Sequence, residues 1–79
     1  MLKIIEHQFD ASGKQLRVGD LPERFETRAE AERFVGKHMQ ESFKSLHFSS
    51  GYDDEHRYWW VRDNRDGSKI RFSIEGAEP

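Results

Sequence analysis

Two stretches of alternating residues, 57–63 and 68–74, enclose a short polar segment in the last third of the chain. Both stretches are rich in aromatic and β-branched residues, and the segment between them ends in Asp66 and Gly67. An Asp-Gly pair flanked by alternating apolar residues is one of the strongest short-range signals for a β-hairpin. The sequence therefore predicts a hairpin here, against which the rest of the chain has to pack.

The chain has 79 residues and a formal net charge of −2, and apolar residues make up only 34% of it. A chain of this length forms one small domain, which we expect to span residues 1–75, with a frayed tail at 76–79. Aromatic residues reach 13%, so the core has to be built from a few large side chains. The net charge excludes a uniformly basic nucleic-acid binder but allows a local basic patch.

The chain contains no cysteine, which excludes disulfides and thiolate zinc sites. Its first residues reach Glu6 and His7 without the apolar core of a signal peptide, and no stretch has the roughly 18–20 apolar residues of a membrane span. We therefore expect a cytoplasmic protein that contacts no membrane and needs no cofactor.

Two short strands are predicted at the start of the chain. Residues 2–9 alternate between two faces, one holding Leu2 and Ile4 and the other holding Ile5, His7 and Phe9. Residues 10–13 form a turn in which Gly13 supplies a positive φ. Residues 15–18 are the return strand, which we place at a sheet edge, and Pro22 keeps the ladder from continuing.

A helix is predicted near residues 28–42, with its C-terminal end left open between Gln40 and Lys44. Thr27 and Glu30 have the spacing of a capping box, in which the hydroxyl accepts from the Glu30 N–H and the carboxylate reaches back. A stripe at helical spacing follows, made of Ala31, Phe34, Val35, His38 and Met39. Gly36 costs the helix about 1 kcal/mol relative to alanine, and either permits a close approach to the sheet or is simply tolerated.

Residues 46–52 alternate and predict a third strand, with Leu46 and Phe48 on one side. The alternative is that Leu46 extends the helical stripe. The acidic segment 53–56 then turns the chain back and pairs Tyr52 with Arg57. Its carboxylates lack the spacing of a calcium loop, so we interpret it as a solvated turn and predict no metal site.

The register of the hairpin depends on its turn. A two-residue turn at Asp66-Gly67 pairs Val61 with Phe72, whereas a four-residue loop over 64–67 pairs Val61 with Ile70. Both choices keep the same residues on each face, because side chains alternate with a period of two. The predicted core face of the three strands holds Leu46, Phe48, Ser50, Trp59, Val61, Ile70, Phe72 and Ile74.

The opposite face is predicted to be open to solvent, since one helix covers only one side of a sheet. Its candidate binding residues are His47, Tyr58, Trp60, Arg62, Lys69 and Arg71. Exposed aromatics beside cations suit a protein partner or self-association. They also suit single-stranded nucleic acid, through base stacking and phosphate contacts. A purely structural interpretation is that the aromatics are cross-strand partners with arginines stacked over them.

Catalysis has little support in the sequence. There is no glycine-rich phosphate loop, and the four histidines are scattered, with His38 expected at the core boundary beside a hydrogen-bond partner. A domain of this size also has little room for a pocket of the roughly 300 Å³ or more that small ligands occupy. A small enzyme or ligand-binding domain is therefore the third hypothesis.

The sequence thus predicts an α+β fold, with one helix on a four- or five-stranded antiparallel sheet in the order β-β-α-β-β-β. The leading hypothesis for function is a non-catalytic interaction module, whose open face binds a protein partner or a second copy. Single-stranded nucleic-acid binding on the same face is the alternative.

Overall fold

The computed structural model describes residues 1–77 and confirms the α+β fold. Five strands form one antiparallel sheet, and the helix follows the second strand, as the sequence predicts. The elements are β1 (Leu2–Phe9), β2 (Gln15–Asp20), α1 (Arg28–Ser42), β3 (Phe48–Asp53), β4 (Tyr58–Asp63) and β5 (Lys69–Gly76).

The strand order is β2-β1-β5-β4-β3, so the first and last strands of the chain lie side by side near the middle of the sheet. β1 and β5 pair along their whole lengths, from Leu2 opposite Gly76 to Phe9 opposite Lys69. Gly76 therefore belongs to a strand and not to a frayed tail, and residues 78–79 of that predicted tail lie outside the described residues.

The β4–β5 hairpin uses the four-residue loop. Val61 lies opposite Ile70, and the Asp63 N–H donates to the Ser68 carbonyl at 2.9 Å. The Gly67 N–H donates a hydrogen bond to the Asp63 carbonyl at 2.8 Å, and Gly67 adopts φ 80°. Glycine meets this positive φ without steric cost, so the Asp-Gly signal marks the end of the loop and not a two-residue turn.

β3 begins two residues later than the pattern predicts. Ser45 closes a turn in which its carbonyl accepts from the Phe48 N–H at 3.1 Å, and Leu46 at the tip of that turn is 99% exposed. Leu46 therefore belongs neither to the core face nor to the helical stripe. The apolar contact is made instead by the rings of Phe43 and Phe48, whose centroids are 5.2 Å apart.

The turn between β3 and β4 also differs from the predicted register. Tyr52 lies opposite Trp59 and Asp53 opposite Tyr58, so Arg57 is in the turn and not opposite Tyr52. Arg57 adopts φ 57°, and its N–H donates to the Asp53 carbonyl at 2.7 Å. The shift is by an even number of residues, so the assignment of side chains to the two faces survives it.

α1 begins where the sequence predicts and ends at Ser42, within the range that the sequence leaves open. The Glu30 N–H donates to Thr27 Oγ1 at 3.2 Å, which is one half of the capping box. The helix packs over β1 and β5 and buries Ala31, Val35 and Met39. The centre of the core is formed by Ile4, Val35, Met39, Val61 and Phe72.

His38 lies at the core boundary, but its neighbours are aromatic rings. It stacks on Phe34 with centroids 6.0 Å apart and meets Phe72 edge-on at 5.5 Å. Its ring makes no hydrogen bond to another of residues 1–77, so the expected polar partner is replaced by ring contacts.

Candidate functional site: the open face of the sheet

The sheet face opposite α1 carries a shallow depression of about 460 Å³ over β3, β4 and β5. Its volume exceeds what we expected for a domain of this size. It is open to solvent, and the residues that line it are Ser49, Asp53, Tyr58, Trp60, Arg62, Asn64, Lys69 and Arg71. A neighbouring depression of about 380 Å³ shares Tyr58 and Arg71 and is completed by His7, Phe9, Gln15, His56 and Ser73.

Arg71 lies between two aromatic rings. Its guanidinium carbon is 4.6 Å from the ring centroid of Phe9 and 4.7 Å from that of Tyr58. Such contacts are worth about 0.5–1 kcal/mol each at exposed sites. Arg71 and Tyr58 therefore have a structural role, and the ring face of Tyr58 that contacts Arg71 is already occupied.

Trp60 lies across the backbone of β3. Gly51 is its cross-strand partner, and a Cβ built on Gly51 would lie 2.8 Å from Trp60 Cζ2. The missing side chain is therefore what allows the indole to lie flat over the edge strand. Trp60 is half-buried and lines the depression.

Arg62 and Lys69 lie directly opposite each other on β4 and β5. Both are exposed, and neither makes a hydrogen bond or an ion pair with another of residues 1–77. At the same end of the depression, Asn64 Nδ2 donates to Ser49 Oγ at 2.8 Å. Two adjacent cations therefore lie beside the Asn64–Ser49 pair, and no carboxylate of residues 1–77 forms an ion pair with either of them.

Asp53 is the one carboxylate that lines the larger depression, and it is committed to the β3–β4 turn. Its Oδ1 accepts from the His56 N–H at 3.0 Å, and its Oδ2 lies 3.1 Å from His56 Nδ1. The backbone hydrogen bond from His56, then the ring of His56, lower the pKa of Asp53. The lining as a whole carries three cations against this single, already hydrogen-bonded anion.

Five of the predicted residues come together at this depression: Tyr58, Trp60, Arg62, Lys69 and Arg71. His47 does not, because it precedes β3 in the turn after the helix. The sequence did not identify Phe9 or Gly51 as part of the site. Phe9 reaches it only through the pairing of β1 with β5, and the small-residue run 49–51 was the one local sign of a close approach at Gly51.

Comparisons of the chain with protein-family models, curated proteins and solved structures found no match. No helix within residues 1–77 is long and apolar enough to cross a membrane. Nor do the described His, Asp and Glu side chains form a group of three or more that could hold a metal ion. The open face therefore has to be interpreted from its own chemistry.

Proposed function

We propose that the protein is a non-catalytic interaction module, whose open sheet face binds an acidic segment of a protein partner. The observation that carries this proposal is the pair Arg62 and Lys69, adjacent on the sheet and without an acidic partner among residues 1–77. Carboxylates of a partner satisfy both cations through charge-assisted hydrogen bonds. The outer face of Trp60, beside them, offers the large apolar contact typical of interface hot spots.

A protein segment fits this face better than a nucleic-acid strand does. Stacked bases need free aromatic faces, but one face of Tyr58 is occupied by Arg71 and one face of Trp60 by Gly51. The net charge of the chain is also −2, which gives little long-range attraction for a polyanion. A short acidic segment needs only the local charge of the depression.

The proposal is tested by titrating a glutamate-rich peptide that contains one leucine, with tryptophan fluorescence as the readout. A Trp59→Phe background leaves Trp60 as the only indole. We expect saturable binding, weakened at least about tenfold, or 1.4 kcal/mol, when Arg62→Gln and Lys69→Gln are combined. The matched control combines Lys14→Gln with Arg33→Gln, which removes the same two charges from exposed positions elsewhere. Equal weakening by both pairs, or no binding, contradicts the proposal.

Single-stranded nucleic acid is the second candidate, favoured because the same two cations and Trp60 line one depression. It predicts that an oligothymidine quenches the fluorescence of Trp60 at low salt. It also predicts that the logarithm of the association constant falls steeply and linearly with the logarithm of the salt concentration. The absence of quenching at low salt ends this alternative.

A further inference from the structure

The two edges of the sheet are built differently. β2 is exposed along its whole length, carries Arg17 and Asp20, and contains a bulge at Leu16, which has no partner on β1. Bulges and edge charges discourage pairing with other chains. β3 has no bulge and no proline, and its sequence from Phe48 to Tyr52 is uncharged. The β3 edge therefore lacks the bulge and the charged residues that discourage pairing with another chain.

The free hydrogen-bonding groups of β3 can be assigned from its register. The Asn64 N–H donates to the His47 carbonyl at 2.8 Å, which continues the β3–β4 ladder by one residue. Since bonded pairs alternate in an antiparallel ladder, the odd-numbered residues of β3 bond to β4. Ser50 and Tyr52 then point their N–H and C=O groups outward, and β3 is the last strand of the sheet.

We propose that this edge pairs with β3 of a second copy of the chain, antiparallel and centred on Gly51, to form a ten-stranded sheet. In that register Ser50 of each copy lies opposite Tyr52 of the other, and their outward groups exchange four hydrogen bonds. The two-fold axis is perpendicular to the sheet, so both open faces lie on the same side. This interface is distinct from the binding face proposed above.

Charge complementarity identifies the occupant as a second copy. The β3 edge is preceded by Lys44 and followed by Asp54, Glu55 and Arg57, all exposed. Its first end is therefore positively charged, and its second end is negatively charged on balance. Antiparallel pairing places the basic end of one copy against the acidic end of the other. With Gly51 at the centre, the turn that precedes β3 in one copy lies at the same end of the paired edges as the turn that follows β3 in the other. A parallel arrangement would instead bring like charges together.

The side chains around Gly51 fit the same arrangement. Trp60 covers Gly51 on the open face, so the two indoles approach each other above the paired glycines and the two cationic depressions become one trough. On the helix side, Tyr52 is 41% exposed and its ring lies 4.7 Å from that of Trp59. Tyr52 and Trp59 line a groove that also includes Met39 and Phe43 of the helix side, and Tyr52 of the second copy adds to its wall beside Ser50.

Sedimentation equilibrium of the full chain over a wide concentration range tests the proposal. We expect the apparent mass to rise toward twice that of the monomer, and the rise to be lost with Ser50→Pro, which removes an outward N–H but no β3–β4 bond. Tyr52→Lys should act in the same way. The control Val18→Lys places the same charge on the other edge, at a position that is 48% exposed, and leaves association unchanged. Circular dichroism verifies that each variant is folded.

The antiparallel arrangement is tested by charge reversal. Lys44→Glu or Glu55→Lys alone should weaken association at least about threefold, and the double variant should restore it, because the charges at each end of the interface are again unlike. A monomeric wild-type chain, or a dimer that survives both Ser50→Pro and Tyr52→Lys, overturns the proposal. If the double variant Arg62→Gln with Lys69→Gln abolished the dimer, the interface would lie on the open face, and this result would also overturn the proposal.

Discussion

The adjacent tryptophans Trp59 and Trp60 separate onto opposite faces of β4, as alternation predicts. Both are nevertheless half-buried, so the contrast between a core tryptophan and an open one is smaller than the sequence suggests. α1 packs over β1 and β5, which leaves Trp59 at the margin of the core beside Tyr52. Trp60 is partly covered because Gly51 lets it lie against β3. Alternation fixes the side of a residue but not how far the helix extends over it.

The most damaging core truncation should therefore be at Phe72, which is 1% exposed. Phe72→Ala should lower the free energy of unfolding by about 3–5 kcal/mol, since a fully buried ring leaves a cavity. Trp59→Ala and Trp60→Ala should each cost less, because solvent already reaches both side chains. Urea denaturation followed by circular dichroism gives the three values. A loss at Trp59 equal to that at Phe72 would contradict this placement of the core.

Gly51 provides a second test at the residue scale. Gly51→Ala introduces a Cβ within 2.8 Å of the indole, so Trp60 has to move. We expect a destabilisation of about 1–3 kcal/mol from overpacking, together with a changed near-ultraviolet circular dichroism of tryptophan. Gly19→Ala on the other edge is the matched control, because a Cβ there meets nothing within 4 Å. If both changes have the same effect, Trp60 does not rest on Gly51.

At the scale of elements, the helix was the most predictable because its signals are local. Thr27 and the apolar stripe define the start and the buried face of α1 without reference to the rest of the chain, whereas its end at Ser42 was predicted only to within the range 40–44. The strand limits depend on neighbours instead. β2 runs on to Asp20 because Gly19 and Asp20 find partners on β1, and β3 starts late because Ser45 forms a turn. Leu46 fitted the strand pattern but lies in that turn.

Gly36 gives a prediction for the helix. A Cβ at Gly36 meets nothing within 4 Å, so the glycine is tolerated and does not mediate a close approach to the sheet. Gly36→Ala should therefore raise the free energy of unfolding by about 0.8–1.0 kcal/mol, the difference in helix propensity between the two residues. Thermal denaturation checks this gain, and a lower melting temperature would show that the position is packed after all.

At the scale of the whole molecule, the sheet order lay beyond the reach of the sequence. The pairing of β1 with β5 joins the two ends of the chain, and no turn or local pattern specifies it. The local β4–β5 hairpin and the faces of its strands were predicted correctly. The candidate site was accordingly found in part: its β4 and β5 residues follow from alternation. Phe9 follows only from the central pairing.

Stability at acid pH involves the whole molecule, because all three hairpin turns depend on aspartates that accept backbone N–H groups: Asp10, Asp53, Asp63 and Asp66. The pKa of each is lowered from 3.8. The largest cause is the hydrogen bond from the side chain of Ser12 at Asp10, of Arg65 at Asp63 and of Ser68 at Asp66, and the backbone N–H of His56 at Asp53; the other backbone N–H groups add to it. The unfolded chain then binds more protons, so stability is full above that value and falls as pH drops through the folded pKa values. Urea denaturation between pH 7 and about pH 2 should show this loss of unfolding free energy.

Asp10→Asn keeps an acceptor oxygen but cannot be protonated in this range, so it should reduce the loss of unfolding free energy on acidification. The control is Asp54→Asn, at an exposed carboxylate without a hydrogen bond to residues 1–77, which should leave that loss unchanged. A loss that Asp10→Asn leaves unaltered would show that this turn carboxylate does not contribute.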